Sequence, residues 1–527
     1  MPIRIDRDND NYSPDNSNGS RPRFTGGGGG GGGGLLMILL MFLPQIIRFL
    51  LRNPKLGVVV VLVLIGLWFF RDRIGLGGNQ PASSAYSRGC SMNQELYDQA
   101  QVYEPLADNI KNPMPERVSL LQYAPKRLNQ GQQGSCVAWA SSYAARSIMY
   151  ARESGKNPDE IAFSPSFLYN QIALEDCQGS YLINAMETLE KKGDVDFDKF
   201  PYNENSCSKD PDSRLLSEAS AYRIKGFSRL SLDGEDYKVN MLAIKQNLAA
   251  GAPVVIGMQV GGSFMRNMDG KKVWIPESSD YDMSGFGGHA MCVIGYDDYL
   301  EGGAFQLMNS WGPEWGDNGT AWVRYKDFDF FVVEAMGLHP MGEAGKAAPA
   351  SFTASFGLQN QNTKTNIPFG LKNGNVFTNR AAVKKGKAGT PFKIEFTNNM
   401  ECYTYLVGLE NNNTTYVLFP YTKKHSPYCG VTGTRLFPKD HTLYPDDAGS
   451  TDQMAVIITH EPIDYNALNA KISSATGQSL GEKINKALAG KLSPDAKLST
   501  DANGNVRIDK PLNDKGYAAI ILEVKKQ

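Results

Sequence analysis

The run Asn129-Gln-Gly-Gln-Gln-Gly-Ser135 constrains this chain most, because it is built of turn formers and stops abruptly at Cys136. Beyond it a helical pattern begins, with Trp139, Tyr143 and Ile148 on one side and Gly155 as the stop. Cys136 is therefore expected at a helix N-terminus. Aligned peptide dipoles place about half a positive charge there, which favours a thiolate over a thiol. A cysteine nucleophile also needs a base and donors for the developing oxyanion. A free Cys is equally at home in an apolar core, so this position alone leaves both readings open.

Histidine is scarce: the chain holds His289, His339, His425, His441 and His460. His289 lies in GFGGHAMCVIGYDD, a glycine-rich approach to an apolar strand pattern. The next strand, Phe305-Gln-Leu-Met308, runs into Asn309-Ser310-Trp311-Gly312. A hairpin of that kind brings His289 and Asn309 together at one sheet end. An Asn that accepts from one imidazole nitrogen fixes the ring, so that the other nitrogen faces the thiol.

Composition removes several alternatives. With 54 Lys and Arg against 55 Asp and Glu, the formal charge is −1, which gives no electrostatic footprint for a nucleic-acid partner. Seven Cys in 527 residues do not make a small disulfide-stapled scaffold. There is no CxxC pair or HExxH stretch, so neither a metal nor a cofactor is expected. The length predicts more than one domain.

Residues 1–34 are polar and end in a glycine run, and are expected to be a disordered tail. Residues 35–73 are expected to associate with a membrane. Residues 35–51 contain Pro44, Gln45 and Arg48 and suit an interfacial helix, whereas residues 56–70 carry no polar side chain and suit a span. Basic residues are denser before residue 56 than after residue 70. A single crossing by residues 56–70, which is the expectation, would therefore leave the body of the protein outside the cytoplasm; a hairpin, the alternative, would leave it inside. Residues 74–113 are expected to be a linker.

Several pieces of the text in 114–341 resemble the papain family of cysteine peptidases, bacterial type. Gln130-Gly-Gln-Gln-Gly-Ser-Cys136 keeps that family's step from Gln to nucleophile, and its Cys signature and lowered thiol pKa are long-known features. Ser164-Pro-Ser-Phe-Leu, Cys177-Gln-Gly-Ser180, Phe200-Pro-Tyr202, Gly288-His289-Ala and Asn309-Ser-Trp-Gly-Pro-Glu-Trp-Gly316 follow in family order. The resemblance implies an α+β, two-lobe fold, with a left helical lobe and a right antiparallel β lobe. It implies Cys136 as nucleophile, His289 as base, Asn309 as its orienter under the indole of Trp311, and Gln130 as an oxyanion donor. Gly179 and Ser180 match positions whose backbone pairs with an extended peptide or protein substrate. The chain departs from the pattern at Val137, where the family usually has Trp. It departs again at Gln133, where the loss of a usual Cys leaves Cys177 without its family partner. A rearranged Cys177–Cys207 bridge is inferred, with two buried thiols as the alternative. Family zymogens carry a long helical propeptide; residues 74–113 are too few for one, so control must come from elsewhere.

Residues 342–350 read as a small-residue linker, and 351–527 as a β-rich, sandwich-like domain with one helical stretch near 465–488. This region resembles a domain of unknown function often appended to bacterial peptidases. Its three His lack a nucleophile and acceptor set. The expectation is a membrane-anchored cysteine peptidase acting through an acyl-thioester. The alternatives are a Cys/His amidase or transpeptidase on cell-wall peptides, and an inactive peptidase fold used for binding.

Overall fold

A computed structural model of the chain describes residues 3–5, 86–107, 111–231, 238–339, 349–439 and 441–527. Gly131 takes a left-handed backbone (φ 64), closing the turn before Cys136. Helical segments Cys136–Ala138, Trp139–Arg146 and Ser147–Ser154 then run on without a break, and Gly155 ends them in the left-handed region (φ 68). The middle segment is wound as a π-helix, a wide turn that often marks functional sites. Every residue from 136 to 149 is buried. The one-sided pattern of Trp139, Tyr143 and Ile148 therefore describes only part of a helix enclosed on all sides.

Two further helices complete the helical lobe. Pro165–Ile172 starts from Ser164, whose hydroxyl accepts from the Phe167 N–H at 3.0 Å, with Pro165 in the first turn. Leu182–Lys191 buries Leu182, Ala185, Met186 and Leu189 at helical spacing. Between them, Cys177 and Cys207 form a disulfide with Cα atoms 5.9 Å apart.

The other lobe is a sheet ordered Phe227–Arg229, Val332–Leu338, Val254–Val260, Gly287–Asp297, Ala304–Met308, Thr320–Arg324 and Val273–Trp274. All its pairings but the last are antiparallel. Cys292 pairs with Met308, so His289 and Asn309 stand at the same end of neighbouring strands.

Residues 349–527 build two facing sheets, in which alternation decides which side chains meet. In Cys402–Leu409 and Thr451–Thr459, Leu406, Met454, Val456 and Ile458 point into a core shared with Phe352, Phe356, Phe396 and Phe437 of the opposite sheet. The alternate residues Tyr405, Val407, Ala455 and Ile457 bury against helices Tyr465–Ser474 and Leu480–Ala487. The expected single helical stretch is thus two short helices. Asp464 and Ser479 cap their N-termini.

Three expectations need correction. Residues 86–107 are not a free linker; they are docked, with Tyr97, Val102 and Tyr103 buried. Ile3–Ile5, within the expected disordered tail, pairs antiparallel with Leu443–Pro445. A single membrane crossing between residues 6 and 85 would separate those two strands, so the pairing is incompatible with it. Among the described residues no helix is long and apolar enough to cross a membrane; residues 35–51 and 56–70, like most of the expected 342–350 linker, lie outside them.

The disulfide encloses a loop with a sequence separation of 30. Replacing Cys177 and Cys207 by Ser together is expected to lower unfolding free energy by about 2–4 kcal/mol. Denaturant titration reads this as an earlier transition of the helical lobe; an unshifted transition would show that the bridge does not support it.

Candidate active site

Cys136 heads the long helix and is fully buried. Its N-cap residue, Ser135, does not cap with its side chain, because its hydroxyl lies 2.6 Å from the Tyr202 hydroxyl. The N–H groups of Cys136 and Val137 are thereby left facing the sulfur. The N–H of Ala290 donates to the sulfur at 3.4 Å, which ties the Cys136 helix to the His289 strand.

His289 is held from two sides. Its Nε2 donates to Asn309 Oδ1 at 2.7 Å, and its ring stacks on Trp311 at a centroid distance of 4.3 Å and an angle of 27°. Asn309 Oδ1 also accepts from the Ser310 N–H at 2.8 Å, which identifies it as the oxygen and fixes the amide. Nδ1 of His289 is buried and has no hydrogen-bond partner among the described residues. A ring with its proton on Nε2 presents Nδ1 as a base.

Gln130 is fully buried. Its Oε1 accepts from the Ser310 hydroxyl at 2.6 Å, and its Nε2 gives one hydrogen to the Gln133 carbonyl at 2.8 Å. Tyr202 donates to the Gln130 carbonyl at 2.7 Å. Ser310 therefore orients the side-chain amide while Tyr202 holds the Gln130 backbone, roles for which their sequence positions gave no separate signal. Trp139, where an aromatic replaces the one missing at Val137, packs edge-on against Tyr143 and Tyr202, each at 4.8 Å.

Residues 87–91 run along this cleft. Trp311 Nε1 donates to the Ser87 carbonyl at 2.9 Å, and Arg88 Nη1 donates to the carbonyls of Gly285 (2.8 Å) and Val260 (3.0 Å). The Gly89 N–H faces the Cys136 sulfur, while its carbonyl accepts from the Ser180 N–H at 2.9 Å. Cys90–Ser91 then pairs in parallel with Ser180–Tyr181. The fit depends on glycine: a Cβ on Gly89 would sit 2.1 Å from the Gly134 carbonyl oxygen, and one on Gly179 2.5 Å from that of Gly89. The backbone positions expected to receive a substrate, Gly179 and Ser180, are thus met by the chain itself.

That cover reverses the expected charge state. Burial pushes the Cys136 thiol up to about 11, and the surrounding N–H groups only partly oppose it. Burial likewise pulls His289 down to about 4 against the Asn309 hydrogen bond. The pair is therefore a thiol and a neutral imidazole. The helix N-terminus favours the thiolate, but removal of water from both groups outweighs it.

A pH dependence follows. Unfolded His takes up a proton near pH 6.5, whereas folded His289 refuses it until about pH 4, so its contribution is complete above 6.5 and is lost as pH falls toward 4. The buried carboxyls of Glu334, raised to about 8, and Asp194, raised to about 7, act in the opposite sense. The informative quantity is therefore a difference: relative to His289→Gln, the unaltered chain should lose thermal stability between pH 6.5 and 4. Parallel curves would contradict the buried neutral ring.

Residues 120–336 match the family model "Papain family cysteine protease". An uncharacterized peptidase C1-like protein of Acanthamoeba polyphaga mimivirus is 29% identical over 236 residues, 41% of this chain and 72% of that one. Cathepsin K of Mus musculus is 28% identical over 196 residues, 37% of this chain and 54% of that one. Among solved structures, xylellain, a cysteine protease from Xylella fastidiosa, aligns at 23% identity and a TM-score of 0.40, covering 48% of this chain and 96% of that one. The region around Cys136 and His289 is similar to the papain family of cysteine proteases, and the protein is a cysteine-type peptidase, a hydrolase.

Proposed function

We propose that this domain hydrolyses peptide bonds in peptides or proteins through an acyl-thioester on Cys136. Nδ1 of His289 takes the thiol proton as sulfur attacks the substrate carbonyl carbon. The imidazolium then gives that proton to the leaving amine, and the C–N bond breaks. In the second half, His289 takes a proton from water, the hydroxide attacks the thioester, and the thiol reforms as the acid leaves. Asn309 keeps the ring in the tautomer and orientation both halves need, and Trp311 excludes water from that hydrogen bond. The uncommitted amide hydrogen of Gln130 and the Cys136 N–H stabilise the oxyanion.

The observation that carries this reading is the constrained imidazole: Nε2 engaged at 2.7 Å by Asn309, with Nδ1 left buried and unpartnered beside the Cys136 helix. A binding protein has no need to keep such an orphan, since an unsatisfied buried acceptor costs about 1–3 kcal/mol. The oriented Gln130 favours peptide hydrolysis over the amidase and transpeptidase alternatives.

The apolar stretches 35–51 and 56–70 hold the enzyme at a membrane, in an arrangement that leaves residues 3–5 and the catalytic body on one side. Extraction of the full chain by detergent but not by alkaline carbonate is the expected behaviour; release by carbonate would remove the anchor.

Cys136→Ala should abolish turnover of a peptide library, as judged by sequencing the products, without altering the thermal transition. Turnover retained by that variant would overturn the mechanism. Gln130→Ala should lower kcat by about 10²–10³ with little change in KM. A change confined to KM would make Gln130 a substrate-binding group.

A further inference from the structure

Residues 87–91 cover the thiol without being placed for cleavage. The Gly89 N–H faces the sulfur, and the Gly89 oxygen accepts from the Ser180 N–H, while the Gln130 amide donates to the Gln133 carbonyl and not to the strap. A segment so short needs an anchor. The contacts of residues 97–112 show where one lies.

On the peptidase side, the Tyr97 hydroxyl donates to the Ala335 carbonyl at 3.1 Å, and the Arg229 N–H donates to the Gln101 carbonyl at 2.9 Å. On the other side, the Val102 N–H donates to the Lys424 carbonyl at 2.6 Å, and the Val102 carbonyl accepts from the Ser426 N–H at 3.1 Å. Val102 thus bridges Arg229 and His425 like a strand laid between two sheet edges. Asp98 repeats the arrangement with charge, its carboxylate 2.5 Å from Arg229 and 3.8 Å from Lys424. Further along, the Ala107 N–H donates to the Thr434 carbonyl at 2.7 Å, and Asn112 clasps that junction with bonds to the Ala107 carbonyl, the Thr434 carbonyl and the Thr434 N–H. Arg435, fully buried, donates to the Glu104 carbonyl at 3.3 Å.

We infer that the C-terminal sandwich is the lock of a self-inhibiting strap: its Lys424–Ser426 and Thr434–Arg435 edges hold residues 98–107 and Asn112, and these hold residues 87–91 over Cys136. The inference rests on the peptidase reading for its consequence, and on the backbone and side-chain contacts of the strap for its geometry. It gives the C-terminal region a function in control and supplies the restraint that a helical propeptide would otherwise provide. Loosening the sandwich from the strap would open the cleft, rehydrate the Cys136–His289 pair and restore the thiolate that the helix N-terminus favours.

The test reads access to the thiol, not hydrolysis. The full chain is treated with iodoacetamide at pH 7, and the rate of alkylation at Cys136 is followed by peptide mass spectrometry. Gly89→Leu, whose side chain collides with Gly134, should accelerate alkylation at least tenfold; an unchanged rate would show that residues 87–91 do not shield the cleft. Val102→Pro, which removes the bond to Lys424, and the milder Asn112→Ala should also accelerate it, although both lie far along the chain from the cleft. Acceleration by Gly89→Leu with none from either of these would overturn the lock. Should Val102→Pro lose its cooperative thermal transition, Asn112→Ala decides alone: at least threefold acceleration supports the lock and an unchanged rate refutes it. Fast alkylation of the opened variants with no hydrolysis of any peptide would leave the lock standing and remove the peptidase reading instead.

Discussion

The hydrogen bond from His289 Nε2 to Asn309 Oδ1 is the contact on which the site depends. It exists because two antiparallel strands end side by side, and it survives because Trp311 lies over it. Fixing one nitrogen decides what the other can do. With Nε2 engaged, Nδ1 can only accept, and the group that can supply it with a proton is at the tip of the Cys136 helix. Gln130 is bound into the same frame through Ser310, which follows Asn309 directly. One short segment, 309–311, therefore positions the His289 ring, its indole cover and the Gln130 amide together.

The same frame accounts for the neutral state of the Cys136–His289 pair. A thiolate and an imidazolium attract each other, but each must first be taken from water. In this closed cleft the loss of hydration is the larger effect, holding the thiol near 11 and the imidazole near 4. The residues that impose it belong to the chain itself. In the strap we infer, control by burial would need no distortion of Cys136 and His289, which stay in place for when water returns.

Much of the site was legible from sequence because its parts are locally encoded. A turn-rich run ending on Cys136, a His before an apolar strand and an Asn after the next one are each short patterns whose spacing survives folding. Gly155 as helix stop and Ser164 as helix cap are of the same kind. The π-helical winding of Trp139–Arg146 was not legible, since burial on every side leaves no periodicity to read. Residues 86–107 were mistaken for linker for a related reason. They form few bonds within themselves, and their partners lie far along the chain, in cleft backbone and in the edges of two sheets. In the sandwich, Ser351–Asn360 carries only a weak alternation, with Phe352, Phe356 and Leu358 separated by small or polar residues, and it becomes meaningful only when a second sheet covers it.

The central claim is that the catalytic pair is assembled but kept neutral by the chain's own cover. Nitrogen NMR of the His289 imidazole in the intact chain tests it most directly, because the shifts of Nδ1 and Nε2 report both charge and tautomer. The account predicts a neutral ring with its proton on Nε2 throughout pH 5 to 8. An imidazolium at pH 7 in the covered enzyme would contradict it, for the ion pair would then exist without opening of the cleft.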